Sequence, residues 1–165
     1  MRNHSSLLAL FLAASLVGCG DAHDHGHAHA HPHDHATGQA HVHTAPHGGA
    51  LVVLGDEAAH VEFVLDAASG ELVAYVLDGE AERSLRLAAS ALTLTVAPDE
   101  GEPFRIELAP VASDLTGETV GDTSEFRGTH PGLVGQTTFA ARLAELTLRG
   151  VAFPPTDFRY PEGNE

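Results

Sequence analysis

Histidine at every second position is the feature of this chain that points most directly to chemistry. His23, His25, His27, His29, His31, His33 and His35 keep that spacing, and His41 and His43 resume it. Alternate side chains of an extended backbone project to the same side, about 6.5–7 Å apart. Neighbouring imidazoles therefore converge on one ion after small backbone adjustments. Neutral imidazole suits Zn2+, Cu2+ and Ni2+, and Asp24 and Asp34 offer oxygen ligands among them. Overlapping ligand sets let ions be shared along the segment instead of being fixed at one place. Flexibility lowers the affinity of each set, because the chain must be ordered on binding. Two other uses fit the same residues: a spacer that holds a domain off a membrane, and a polyelectrolyte that charges as pH falls.

Further along, His47, His60 and His130 stand apart from the run. His60 and Glu62 are two apart, opposite the apolar Val61, Phe63 and Leu65. They are read in two ways: as half of a metal site, or as exposed polar positions on the outside of a sheet. In a tight hairpin with Leu51–Leu54, His60 is expected opposite Val53. His47 then lies roughly 20 Å away and meets His60 only if the chain folds back. His130, ahead of Pro131-Gly132, belongs to a loop.

The start of the chain reads as an address. Leu7 to Val17 is an apolar run, shorter than the ~20 residues of a membrane-spanning helix, and fits the core of a signal peptide. It closes on Leu16-Val17-Gly18-Cys19, which resembles the lipobox of bacterial lipoproteins. That resemblance implies cleavage before Cys19, lipid on its thiol and acylation of the new amino terminus, palmitate included. It places the protein in the bacterial cell envelope, anchored to a membrane and facing the periplasm. Cys19 is the one cysteine, so no intrachain disulfide forms. The one methionine is the initiator, which disfavours a thioether site for Cu(I).

The elements that carry these residues follow from a change of texture. Gly20 to His47 has one large apolar residue, Val42, too little to offset the entropy of ordering, so a disordered segment is expected. From Ala50 the chain breaks into short alternating runs separated by turn residues. Strands are predicted at Leu51–Leu54, His60–Leu65, Leu72–Leu77, Leu85–Leu87, Leu92–Val96, Phe104–Leu108 and Ala144–Leu148, and Asp78-Gly79 is a hairpin signal. Val111 to Gly135 is predicted as a long loop with one short strand at Glu125–Arg127. The fold class is all-β, a single antiparallel β-sandwich preceded by a disordered His-rich tail. Immunoglobulin-like connections and a small closed barrel both fit the pattern. The expected division is 1–18 signal peptide, 19–46 lipid anchor and His-rich segment, 47–160 β-sandwich and 161–165 disordered end.

Charge narrows the partners. Eight Lys plus Arg against 23 Asp plus Glu give a net charge of −15. That balance disfavours nucleic acid and anionic lipid surfaces and favours cations. No G-x-S-x-G turn, H-E-x-x-H or Gly-rich phosphate loop occurs, so a catalytic role is not expected.

Pro46-His47-Gly48-Gly49, then His60-x-Glu62, then Tyr75-x-Leu77-Asp78-Gly79 resembles a pattern in small His-rich exported bacterial proteins of unassigned role. Its histidines and glutamate are similar to those of periplasmic heavy-metal-handling proteins. The resemblance implies His47, His60 and Glu62 as additional ligands. The function expected is capture of a divalent transition metal, Zn or Cu(II), for buffering, detoxification or delivery to a metal transporter or efflux component. The competing expectation is a non-catalytic envelope interaction module whose His-rich segment is a tether.

Overall fold

The computed structural model describes residues 43–164. The expected lipid attachment at Cys19 and the expected metal ligands His23, His25, His27, His29, His31, His33, His35 and His41 lie outside the described residues. Within them, the fold is all β. The strands are β1 (Ala50–Leu54), β2 (Ala59–Asp66), β3 (Glu71–Leu77), β4 (Leu92–Pro98), β5 (Phe104–Pro110), β6 (Glu125–Thr129), β7 (Phe139–Leu143), β8 (Leu146–Leu148), β9 (Val151–Phe153) and β10 (Thr156–Tyr160). The one helical turn among the described residues is the 3-10 segment Pro131–Leu133. No helix among them is long and apolar enough to cross a membrane.

Eight strands form one antiparallel sheet in the order β1-β2-β3-β6-β5-β4-β7-β10, with β8 and β9 as a separate hairpin. Strict alternation gives the sheet its inner face. Val52, Leu54, Val61, Phe63, Leu72, Ala74, Val76, Leu94, Val96, Ile106, Leu108, Phe126, Leu143 and Phe158 all enter one core cluster, each two residues from its in-strand neighbour where the strand supplies more than one. The sheet curls on itself into a near-barrel, so its two halves face each other as the layers of a sandwich do. Phe63 of β2 stacks on Phe158 of β10, the eighth strand in order, at 4.8 Å. Side chains bridge the two outer strands: the Asn164 amide accepts from the Val53 N–H at 2.8 Å and donates to the Val53 carbonyl at 3.1 Å. The chain end set apart in the sequence as 161–165 therefore bonds to β1 through Asn164, after Gly163 pairs back to Arg159.

Four elements differ from the sequence expectation. Leu85 and Leu87 are buried and Ser84 and Arg86 exposed, as the alternation requires. The segment makes only isolated bridges, Leu77 with Ser84 and Leu87 with Thr123, and is not a strand. Strand β9 has only three residues. Strands β7 and β10 carry weak local signals, because two of the five β7 residues are alanine and β10 buries only Phe158 fully, with Tyr160 packed beside the core. Both are strands by virtue of their ladder: β7 lies between β4 and β10, and such pairing overrides weak local propensity.

The other face carries the candidate site. Leu51, Leu77 and Ala81 form a second, small cluster, with Ala45 packed against it. The register sets Leu51 opposite Glu62, and His60 between Val53 and Leu77. The outer face of β1–β3 is thus covered by residues 43–49 and by the turn after β3, and β2 is buried on both sides.

Candidate functional site

The segment entering the domain lies across that outer face with an alternation of its own. His43 and Ala45 are half-buried, while Thr44 and Pro46 are exposed. Pro46-His47-Gly48-Gly49 then turns the chain into β1. Gly48 has φ +75°, a left-handed conformation that glycine adopts without strain, and nothing crowds it. Gly49 is required for a different reason: a Cβ there would overlap the Phe63 carbonyl oxygen. One glycine serves conformation and the other close approach.

That approach brings the turn onto Glu62. Oε1 accepts the backbone N–H groups of His47 and Gly49, each at 2.8 Å, and Oε2 accepts the His47 N–H at 3.1 Å. The His47 ring completes the set, with Nδ1 2.7 Å from Oε2. A carboxylate oxygen of this kind accepts, so Nδ1 carries the hydrogen. In its neutral form the ring then presents Nε2 as a lone pair. The ring is 43% exposed, whereas the Glu62 side chain is fully buried. The imidazole also stacks on Tyr75 at 3.9 Å and 14°. Burial, with the nearby Glu125 carboxylate, pushes the Tyr75 phenol above its usual pKa, so it is a neutral platform.

His60 sits on the same strand, two residues earlier, with no exposed surface. Its Nδ1 lies 2.9 Å from the Asp78 carbonyl oxygen. A carbonyl only accepts, so Nδ1 donates and Nε2 is again the bare nitrogen of the neutral ring. The turn that supplies this carbonyl is fixed. The Asp78 carboxylate accepts the N–H groups of Glu82 and Arg83 at 2.9 and 3.2 Å. Burial alone would push that carboxyl up, but these backbone bonds and the Arg83 charge hold it below the usual range. His43 meets His60 edge to face, ring centroids 4.7 Å apart at 62°. The Nε2 atoms of His43 and His60 are both buried and have no hydrogen-bond partner.

The structure therefore brings the expected residues together in two pairs. The chain folds back at Gly48-Gly49, but this brings His47 to Glu62 and not to His60. His43, from the end of the histidine run, joins His60, with Val53 opposite His60 as the register requires. The reading of His60 and Glu62 as exposed polar positions is corrected: both are fully buried, because residues 43–49 cover the face that a bare hairpin would leave open. Among the described residues, no three His, Cys, Asp or Glu side chains converge on a point able to hold a metal ion. His130 has a local role. Its Nδ1 accepts the Gly132 N–H at 3.1 Å and its ring stacks on Phe104 at 3.8 Å. Tyr75 and Asp78 belong to the motif quoted from the sequence, but their roles are not legible there, since Asp78 acts through its backbone carbonyl and Tyr75 through its ring face.

Comparison with known proteins finds no matching family model, no similar curated protein and no similar solved structure.

Proposed function

We propose that this protein captures divalent transition-metal ions, Zn2+ or Cu2+, at the bacterial envelope, held to a membrane through lipid on Cys19. The His-rich segment gathers ions for buffering, detoxification or delivery to a transporter or efflux component. One observation of the folded part supports this reading above the others. His47 and His60 each give their Nδ1 hydrogen to an oxygen, of Glu62 and of the Asp78 backbone. This is how metal-binding imidazoles are oriented: the second nitrogen is tied, which fixes the tautomer and raises the basicity of the ligating one. A tether would not need oriented imidazoles.

The test is calorimetric titration of the detergent-solubilised full chain. More than one equivalent of Zn2+ or Cu2+ is expected at pH 7.5. Imidazole has a reference pKa near 6.5, so protons displace most of the metal by pH 5. Replacing His23 to His35 by alanine should remove most of the stoichiometry. Cys19→Ser should leave binding intact and abolish partition into detergent, because a hydroxyl is not a thiolate nucleophile. Absence of binding at pH 7.5, or binding indifferent to the tail histidines, would sink the metal-capture role.

A further inference from the structure

We infer that His43 and His60 form a discrete two-imidazole site for one divalent transition-metal ion, seated where the histidine run joins the folded domain. This rests on the metal-capture reading and gives it a location. Neither the tail ligands taken as a set nor the His60–Glu62 spacing singled out this pair.

The argument begins from an imbalance. Buried polar atoms are almost always hydrogen-bonded, and an exception calls for an explanation. Here the exceptions among the described residues are two atoms of the same kind, the Nε2 of His43 and of His60. They belong to rings in contact at 4.7 Å. An edge-to-face contact by itself accounts for the rings being adjacent. It does not account for a nitrogen on each being withdrawn from water with no partner. A shared ion does, since one cation accepts both lone pairs at Zn–N distances of about 2.0–2.1 Å.

The surroundings fit that use. The Asp78 carbonyl fixes the His60 tautomer with Nε2 bare. The cross-strand neighbours of His60 are Val53 and Leu77, and Ala45, Leu51 and Ala81 pack with Leu77. These side chains offer no competing donor. Glu62 is not a third ligand, because its oxygens already hold two backbone N–H groups and the His47 ring. Two imidazoles fill half of a tetrahedral shell. The remaining positions stay open to exchange, so an ion arriving along the histidine run can be taken up and passed on.

The site also has a mechanical consequence. His43 lies ahead of β1 and His60 is in β2, so an ion between them staples the entering segment to the sheet. Binding only in the folded state raises the unfolding temperature.

The experiment uses the full chain in detergent with His23, His25, His27, His29, His31, His33, His35 and His41 changed to alanine. Zn2+ titrated at pH 7.5 should show one equivalent and an upward shift of the melting temperature. Cu2+ in the same chain should show two coordinated imidazoles by electron spin-echo modulation. His43→Ala in that background should abolish the equivalent and the shift, while His130→Ala should leave both. His60→Ala should act like His43→Ala. Should the buried His60 substitution not fold, His43→Ala and the imidazole count still decide. An equivalent that survives His43→Ala but disappears with His47→Ala would move the ion to the Glu62 corner and overturn the inference. So would a tail-substituted chain that binds nothing while the unsubstituted chain binds several ions, an outcome that leaves the metal-capture reading intact. If the unsubstituted chain also binds nothing, the metal-capture reading itself falls.

Discussion

Glu62 and Glu118 are both carboxylates withdrawn into the protein, and both fasten a segment without strand structure to the sheet. Their partners differ. Glu62 holds two backbone N–H groups and an imidazole of the entering segment. Glu118 accepts the Ser124 N–H at 3.0 Å and hydroxyls of Ser124 and Thr116 at 2.6 and 2.8 Å, with Arg86 Nε 3.9 Å away. Hydroxyls and a guanidinium hold one protonation state across the physiological range and offer no lone pair to a transition metal at that corner. An imidazole changes protonation state in that range and, when neutral, offers a lone pair. Two further imidazoles with unpartnered nitrogens lie on the same outer face as Glu62, and none lies at Glu118. The same device, a buried acceptor closing a loop, is surrounded by hydroxyls and a guanidinium at one end and by imidazoles at the other.

The largest effect should come from deleting the acceptors. Glu62→Ala strands two backbone N–H groups and the His47 Nδ1–H in a covered site. Each buried donor left unsatisfied costs roughly 1–3 kcal/mol, so a loss of about 3 kcal/mol is expected even where some donors reach water. Glu118→Ala strands one backbone N–H, while the hydroxyls of Ser124 and Thr116 can rotate to other acceptors, so about 1–2 kcal/mol is expected. Urea unfolding of the metal-free proteins measures both. Equal losses would show that the two corners do not differ as described.

A second test separates the corners by pH. Burial works to raise the Glu118 carboxyl, but the Ser124 and Thr116 bonds and the Arg86 charge outweigh it and hold the group below its usual value. A depressed carboxyl contributes stability above its unfolded pKa and loses it as pH falls through the lower folded value. The same sign applies to Asp78. It applies also to Asp99, lowered by its Thr138 and Arg159 bonds, and to Asp157, lowered by Arg142. Their combined effect is confined to pH below about 4. Metal is expected to leave two units higher, as imidazoles gain protons. In the metal-free chain Glu118→Gln should therefore lower the melting temperature alike at pH 7 and pH 5, and by less below pH 4, while bound Zn2+ is already lost at pH 5. A Glu118 effect that disappears together with the metal would contradict that order.

What was readable in the sequence divides along the same line. The inner faces of β1 to β5 follow from alternating apolar residues, a local signal. The register of Val53 against His60 follows from a short hairpin. Strands β7 and β10 have little local signal and exist because neighbours pair with them. The site was half legible. Residue types named His43, His47, His60 and Glu62, but their pairing depends on residues 43–49 covering the sheet. Gly48 and Gly49 are what permit that, one through its positive φ and one by lacking a Cβ. The sequence shows the two glycines but not the carbonyl of Phe63 beneath them, a neighbour 14 positions away.

The smallest expected stability change is also the sharpest probe of the corner. In Glu62→Gln the side chain keeps one acceptor oxygen and gains an amide nitrogen with two donors. The oxygen is best placed at the Oε1 position, where the N–H groups of His47 and Gly49 both point. The amide nitrogen then faces His47 Nδ1 at the former Oε2 position. Two donors cannot bond to each other, so the imidazole must move its hydrogen to Nε2 and accept at Nδ1. One amide hydrogen pairs with Nδ1 and the other has no acceptor among these contacts, so the stability loss should be about 1 kcal/mol. The chemistry changes more, because the exposed Nε2 of His47 is now a donor and no longer a lone pair for a metal. Long-range proton–nitrogen correlation spectra of the metal-free chain should report the Nδ1–H tautomer of His47 in the wild type and the Nε2–H tautomer in Glu62→Gln. The His60 tautomer, held by the Asp78 carbonyl, should not move. If His47 keeps its Nδ1 hydrogen in the variant, Glu62 does not set that tautomer, and the Glu62 corner is architectural in the same sense as the one at Glu118.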